Sequence, residues 1–149
     1  MADSKTLEKL LDLRDRDKQT AQKDYKLSVE RFEDVASEMY NLLKKKEDAE
    51  AAYQREIGEA PAFVGSLTSH SEYIAKLKTN IASLQTAVGN ARKDMEMKQD
   101  KLTAAYVETK KFERMIERKR EKQQAVVKAE ESKQMDEIST MQFNKNRDW

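Results

Sequence analysis

The stretch GEAPAFVG, residues 58–65, decides the fold, because it contains the only proline of the chain and two of its three glycines. Glycine commonly ends a helix, and a proline inside a helix removes a backbone hydrogen bond. The chain therefore either turns back at this stretch or passes through it as one long, locally broken helix. The apolar residues on each side distinguish the two arrangements.

The composition favours long helices exposed to water. Charged residues and hydrophobic residues each make up 38% of the 149 residues, and the net charge is +1. This is too polar for the core of a layered globular domain, yet the aliphatic residues recur too regularly for a disordered chain. The chain has no cysteine, which excludes disulfide bonds and thiolate chemistry.

The residues before Gly58 carry a heptad pattern, in which apolar side chains recur at alternating steps of four and three. Ten of the fifteen positions in this pattern are apolar, as expected for a helix that buries one narrow stripe against a partner helix. Polar residues interrupt the stripe, and we expect them to weaken its packing. The apolar positions are Leu7, Leu11, Ala21, Tyr25, Phe32, Val35, Met39, Leu42, Ala49 and Tyr53, and the interruptions are Arg14, Lys18, Ser28, Lys46 and Glu56.

The residues after Gly65 carry a second, richer stripe that fades beyond Ile116. A hairpin that turns near Pro61 pairs residues whose numbers add to about 123, so the first helix offers no partner beyond about residue 118. The expected layers are Leu11 with Phe112, Ala21 with Leu102, Phe32 with Ala91, Val35 with Val88, and Leu42 with Ile81. The stripe contains Leu67, Ile74, Leu77, Ile81, Leu84, Val88, Ala91, Met95, Leu102, Ala105, Phe112 and Ile116, and its interruptions are His70, Lys98, Thr109 and Lys119.

We therefore predict an all-α fold of two long helices in an antiparallel coiled-coil hairpin, with the longer second helix overhanging at the C-terminal end. The expected bounds within a single domain are residues 4–57 for the first helix, 58–68 for the turn, 69–140 for the second helix and 141–149 for a tail. Ser69-x-x-Glu72 resembles a capping box that begins the second helix. A straight rod is the alternative, because the heptad phase is the same on both sides of the break.

The sequence gives little indication of catalysis. It has neither a glycine-rich phosphate loop nor an HExxH motif, and its single histidine, His70, lies on the stripe near the turn. A two-helix rod has no pocket that excludes water, so we expect no enzymatic activity, no cofactor and no metal site, with His70 in a packing or helix-start role. The N-terminus lacks a signal peptide and no segment is apolar enough to span a bilayer, which predicts a soluble, cytoplasmic protein.

Two segments suggest protein partners. Residues 110–122, KKFERMIERKREK, contain seven basic and three acidic residues, which fits a solvated face with ion pairs or a surface for an acidic protein; nucleic acid fits less well because glutamates interleave the basic residues. The final residues carry apolar side chains without a first-helix partner, which fits a frayed terminus or a contact held for another protein. These are Met135, Ile138, Met141, Phe143 and Trp149.

The segments VETKKFERMIERKREKQ (107–123) and KQMDEISTMQF (133–143) resemble the C-terminal half of the FliJ family, and LEKLLDLRDRDKQTA (7–21) resembles its first helix. The resemblance covers essentially the whole chain. It implies a two-helix coiled coil similar to the rotary stalk subunit of F- and V-type ATPases. Its implied role is to promote assembly and activity of the flagellar export ATPase ring and to couple that ring to the export gate protein FlhA.

The resemblance also implies that the protein escorts substrate chaperones, is a monomer when free, binds no nucleic acid, and reaches the cytoplasmic face of the membrane only through the gate. The residues that it places at the ATPase ring are Leu7, Leu11, Arg14, Phe112, Arg114, Arg118 and Arg120. Those that it places at the gate are Glu38, Leu42, Tyr73 and Leu77. The alternatives from the residues alone are a structural homodimeric rod and, more weakly, a nucleic-acid-binding helix pair.

Overall fold

The computed structural model describes residues 2–59 and 63–147, with side chains from Ser4 onward. Two helices account for nearly all of this part of the chain: α1, Ala2–Gly58, and α2, Val64–Arg147. The prediction of an all-α fold with a longer second helix is confirmed. Within the described residues, neither helix contains a segment that is both long enough and apolar enough to cross a membrane.

The helices are antiparallel, as contacts within two compact units show. The terminal unit consists of residues 1–18 with 104–149, and the turn unit consists of residues 19–103. In the terminal unit Thr109 contacts the backbone of Arg14, and in the turn unit Ala49 packs with Ile74. Both pairs have the predicted register, in which the residue numbers add to 123. The hairpin is therefore confirmed and a straight rod is wrong.

The second helix begins earlier than predicted. The carbonyl of Phe63 accepts hydrogen bonds from the backbone N–H groups of Ser66 and Leu67, both at 3.1 Å, so Phe63 stands at the N-cap position of α2. Ser69 lies inside the helix, and the predicted capping box at residues 69–72 is wrong. The helix also continues to Arg147 instead of giving way to a tail at 141. Pro61 lies outside the described residues.

The predicted heptad stripes form the interface between the helices. Every predicted stripe position from Leu7 to Glu56 and from Leu67 to Lys119 is buried or half-buried. The most buried apolar residues lie in the turn unit, where Leu77 is 5% exposed, and they are Ala49, Ile74, Leu77 and Ile81. From Gln124 to Arg147 every side chain is exposed. We call residues 124–147 the overhang.

Two polar interruptions of the stripes are the most buried residues of the described chain. Ser28 and Thr109 are each 1% exposed. The Ser28 hydroxyl donates to the carbonyl of Tyr25 at 2.6 Å, and the Thr109 hydroxyl donates to that of Ala105 at 2.9 Å. Because each hydroxyl is satisfied by its own helix, a small polar residue can lie in the interface without an unpaired group.

Candidate functional site

In the terminal unit, cationic side chains of α1 lie against aromatic rings of α2. The guanidinium carbon of Arg14 is 5.8 Å from the centre of the Phe112 ring, and Lys18 Nζ is 5.1 Å from that of Tyr106. Both distances are within the range of cation–π attraction. The aliphatic stems of Arg14 and Lys18 thus occupy the interface while their charges stay near water, which explains how cations hold stripe positions here.

Arg14 is the centre of this arrangement. Its backbone carbonyl lies 3.4 Å from the Thr109 hydroxyl, and its Nη1 donates to the Asp17 carboxylate at 3.2 Å. Its Nε is buried without a hydrogen-bond partner, although the side chain as a whole is 42% exposed. The packing of this residue is therefore imperfect, and a partner that reorders the guanidinium could satisfy the buried nitrogen.

Four of the seven basic residues of 110–122 fall on one face when they are wound into α2. Spacings of three and four residues place Lys111, Arg114, Arg118 and Lys122 on that face. The glutamates at 113, 117 and 121 follow one another by spacings of four, and those at 117 and 121 border this face, three residues after Arg114 and Arg118. We call the four cations, with the exposed apolar side chains of Val107 and Met115 beside them, the basic face.

Most of the charge on the basic face is not neutralised by the residues that the structure describes. Lys111 pairs with Glu108 at 3.2 Å. Arg114, Arg118 and Lys122 are exposed and make no ion pair with any residue that the structure describes. The interpretation of this segment as a face with internal ion pairs holds at its start, where Lys110 also pairs with Glu113 at 3.3 Å.

The remaining residues placed at the ATPase ring divide into two groups. Leu7, Leu11 and Phe112 are half-buried in the interface between the helices. Arg120 is exposed and lines an open groove with Leu11, but three glutamates line the same groove. That groove is thus of mixed charge, and the basic face is the stronger candidate for binding an acidic surface.

The residues placed at the gate lie in the turn unit and differ in accessibility. Leu77 is 5% exposed and forms the apolar cluster of this unit, against which Leu42 packs. Packing between the helices therefore accounts for both leucines. Tyr73 is 48% exposed and Glu38 is fully on the surface. Both precede a stripe position that is followed by a step of three residues, and residues at this heptad position of the two helices lie on the same side of an antiparallel pair.

His70 has a specific partner near the turn. Its Nε2 lies 2.9 Å from a carboxylate oxygen of Glu56, across the two helices of the turn unit. The contact fits the predicted packing role, whereas the helix-start role is wrong because α2 begins at Val64. Within residues 2–59 and 63–147, no group of three or more His, Asp and Glu side chains is arranged to hold a metal ion.

Comparison with known proteins shows the family. A family described as "Flagellar FliJ protein" matches residues 4–148. The chain belongs to the FliJ family. A Flagellar FliJ protein of Bacillus subtilis (strain 168) is 33% identical over 136 residues, which cover 91% of this chain and 92% of that protein. Solved structures give no match of comparable significance. The resemblance to FliJ is confirmed.

For a FliJ protein, the overhang is a further candidate surface. Met135, Ile138, Met141 and Phe143 are between 50% and 70% exposed on a helix that no other described segment covers, as the sequence predicts. Val126 and Val127, exposed by 64% and 52%, extend this apolar surface toward the hairpin. These two valines were not predicted to belong to the exposed apolar surface, although both follow the last position opposite α1. Trp149 lies outside the described residues.

Proposed function

We propose that this chain is a cytoplasmic, non-enzymatic component of the bacterial flagellar protein export apparatus. It promotes assembly and activity of the export ATPase ring, couples the ring to the export gate protein FlhA at the cytoplasmic face of the membrane, and escorts substrate chaperones. Membership of the FliJ family supports the role in flagellar export. The observation that carries the contact with the ATPase is the basic face, whose charge is largely unpaired.

The basic face has the chemistry that an acidic surface of another protein requires. Arginine guanidinium groups bind carboxylates in two-pronged geometry, and exposed complementary charges mainly increase the rate of association. The neighbouring Val107 and Met115 add apolar contact area without competing charge. The ring therefore binds through Arg114 and Arg118, while Leu7, Leu11, Arg14 and Phe112 hold the two helices together beneath them.

The ATPase contact can be tested by titrating the export ATPase with this protein and measuring ATP hydrolysis. Arg114→Glu with Arg118→Glu should reduce the stimulation, and the reduction should be larger at low salt than at high salt because exposed charges are screened. Lys23→Glu with Lys93→Glu is the matched control, since both lysines are exposed in the turn unit. Equal stimulation by both double variants at low salt would contradict the proposal.

The gate contact is tested separately at Tyr73. Tyr73→Ala should weaken binding to the cytoplasmic domain of FlhA while helicity and thermal stability stay unchanged, because about half of the Tyr73 side chain is exposed to water. Tyr40→Ala is the control, since Tyr40 is also exposed, by 66%, but lies on the other side of the hairpin. If Tyr73→Ala markedly lowers the melting temperature, Tyr73 is a packing residue and not a gate contact.

A further inference from the structure

Two leucines of α1 lie beside the basic face of α2. Leu13 is 52% exposed, and Met115, an apolar member of the basic face, is 48% exposed. Leu10 is half-buried. All three residues belong to the terminal unit, so the register of the hairpin in that unit places them relative to one another. We call Leu10, Leu13 and Met115 the two-helix patch.

The heptad positions put these three residues on one side of the helix pair. Leu10 precedes Leu11, Met115 precedes Ile116, and each of these stripe residues is followed by a step of three. Residues at this position of two antiparallel helices lie on the same side. Leu13 lies three residues after Leu10 and is therefore its neighbour on α1. Because paired residue numbers add to 123, Met115 is level with position 8, and the patch extends about 8 Å along the helices.

Cations of α2 border the two-helix patch. Lys111 lies four residues before Met115 and Arg118 lies three residues after it, so both are its neighbours on the helix. The nearby carboxylate of Glu108 is already paired with Lys111, at 3.2 Å. Arg118 is exposed and makes no ion pair with any residue that the structure describes. On this helix the patch therefore has a cationic border that includes an unpaired guanidinium.

Arg14 extends the cationic border onto α1. Its Nη1 donates to Asp17 at 3.2 Å, and Asp17 has the same heptad position as Leu10, so the guanidinium leans toward the patch. The two side chains are 42% and 62% exposed, and an ion pair so accessible to water is weak. The buried Nε of Arg14 has no partner. A carboxylate of another protein can therefore replace Asp17 and bind the guanidinium in two-pronged geometry.

We propose that the two-helix patch is the apolar centre of the contact with the export ATPase, with Leu13 as its main anchor. This inference rests on the proposed function. Interfaces between proteins commonly have apolar side chains at the centre and a polar border around them. The matching surface of the ATPase is an apolar pocket bordered by carboxylates. Because the patch takes residues from both helices, only the closed hairpin presents it.

The first test measures the affinity of the full chain for the ATPase at low and at high salt. Leu13→Ala should raise the dissociation constant about tenfold, by the same factor at both salt concentrations because no charge changes. Leu27→Ala is the matched control, since Leu27 has the same heptad position, is 50% exposed and lies in the turn unit. Equal dissociation constants for the two variants would overturn the proposal.

A conservative variant separates binding from folding. Methionine keeps the size and the apolar character of leucine, so Leu13→Met should bind within about threefold of the unchanged chain. Circular dichroism should show unchanged helicity and melting for both variants at this position. If Leu13→Ala lowers the melting temperature and Leu13→Met binds as weakly as Leu13→Ala, Leu13 is a structural residue and the proposal is wrong.

The second test locates the contact by crosslinking. A genetically encoded photoreactive amino acid at position 13 should crosslink to the ATPase, and the same amino acid at position 27 should not. The ATPase is supplied above the dissociation constant measured for Leu13→Ala, so that the complex forms in both cases. Equal crosslinking at the two positions would overturn the placement of Leu13 in the contact.

The double variant Arg114→Glu with Arg118→Glu distinguishes failure of this inference from failure of the proposed function. If the double variant weakens ATPase binding and Leu13→Ala does not, the ATPase contact stands and its apolar centre is wrong. If neither weakens binding, the proposed ATPase contact itself is wrong. The expected result is that both weaken binding, the double variant mainly at low salt and Leu13→Ala at low and high salt alike.

Discussion

The turn unit and the terminal unit use the same heptad pattern in different ways. In the turn unit the interface contains Ala49, Ile74, Leu77 and Ile81, all at most 9% exposed. In the terminal unit it contains Arg14 and Lys18 against aromatic rings, with Thr109 as its most buried member. Burial of aliphatic groups gives more stability per residue than exposed cation–π contacts. The turn unit therefore contributes most of the stability.

The terminal unit instead leaves more of its charged and apolar groups accessible to solvent and to other proteins. Its cations keep their charges near water, the basic face lies on it, and α2 extends beyond α1 into an overhang with exposed methionine and phenylalanine. A helix pair that is weakly held and charged is well suited to bind another protein, because its surface groups are not committed to its own core. The two units thus separate stability from recognition, and this separation can be tested by substitutions in each.

The largest loss of stability should come from Leu77→Ala. Leu77 is 5% exposed at the centre of the apolar cluster with Ala49 and Ile74. Truncation of a buried leucine removes apolar contacts and leaves a cavity, which costs about 2–5 kcal/mol. Urea denaturation followed by circular dichroism measures the free energy of unfolding. Tyr73→Ala is the control, since the residue is 48% exposed and its truncation should leave the free energy of unfolding almost unchanged.

A loss of less than about 1 kcal/mol for Leu77→Ala would mean that the cluster is not the centre of stability. The comparison between the units would then be wrong. It would also return Leu77 to consideration as a gate contact, because a residue whose removal hardly affects folding has no structural reason to be a leucine at this place.

A smaller loss is expected from Thr109→Leu in the terminal unit. The pattern alone suggests that leucine should improve a stripe position, but Thr109 is 1% exposed and has no room for a longer side chain. Overpacking of this kind costs about 1–3 kcal/mol. Thr109→Val keeps the shape and removes only a hydroxyl whose acceptor, the Ala105 carbonyl, belongs to the helix itself. It should change stability by less than about 1 kcal/mol.

Denaturant titration of both variants distinguishes size from polarity at this position. If leucine stabilises the protein more than valine does, the interface at Thr109 is loose, and the terminal unit packs less closely than the structure indicates. The same pair of substitutions at Ser28, the corresponding buried residue of the turn unit, shows whether the effect is local.

The fold was largely predictable from sequence because coiled coils follow a short repeat. Each stripe position from Leu7 to Lys119 lies where the alternating steps of four and three put it, and the fading beyond Ile116 correctly indicated the overhang. The burial of Ser28 and Thr109 was not predictable in this way, since the repeat ranks residues by polarity and does not register how small side chains fill a close interface.

The candidate surfaces were less predictable than the fold. The seven basic residues of 110–122 were visible, but only the helical winding shows which four of them share a face. The start of α2 at Val64 escaped prediction because Phe63 is not a typical capping residue.

A modest effect is expected from Arg14→Leu. The substitution removes the cation–π contact with Phe112, worth about 0.5–1 kcal/mol, and also removes the buried Nε that has no partner. These effects oppose each other, so the free energy of unfolding should change by less than about 1 kcal/mol. Phe112→Leu, which loses the ring but keeps the unpaired nitrogen, should be the less stable of the two. The opposite order would show that the guanidinium makes a more important contact than the ring.

The smallest effect on stability should come from deletion of the overhang after Gln123. No side chain of residues 124–147 is buried or half-buried, so their removal takes away almost no interface between the helices. The midpoint of unfolding should stay within about 3 °C of the full chain, which corresponds to about 1 kcal/mol for a chain of this size. Binding of a substrate chaperone, measured by calorimetry, should be lost if the exposed methionines and Phe143 form its contact. A truncated protein that still binds the chaperone would place that contact on the hairpin, where the basic face is the surface left to test.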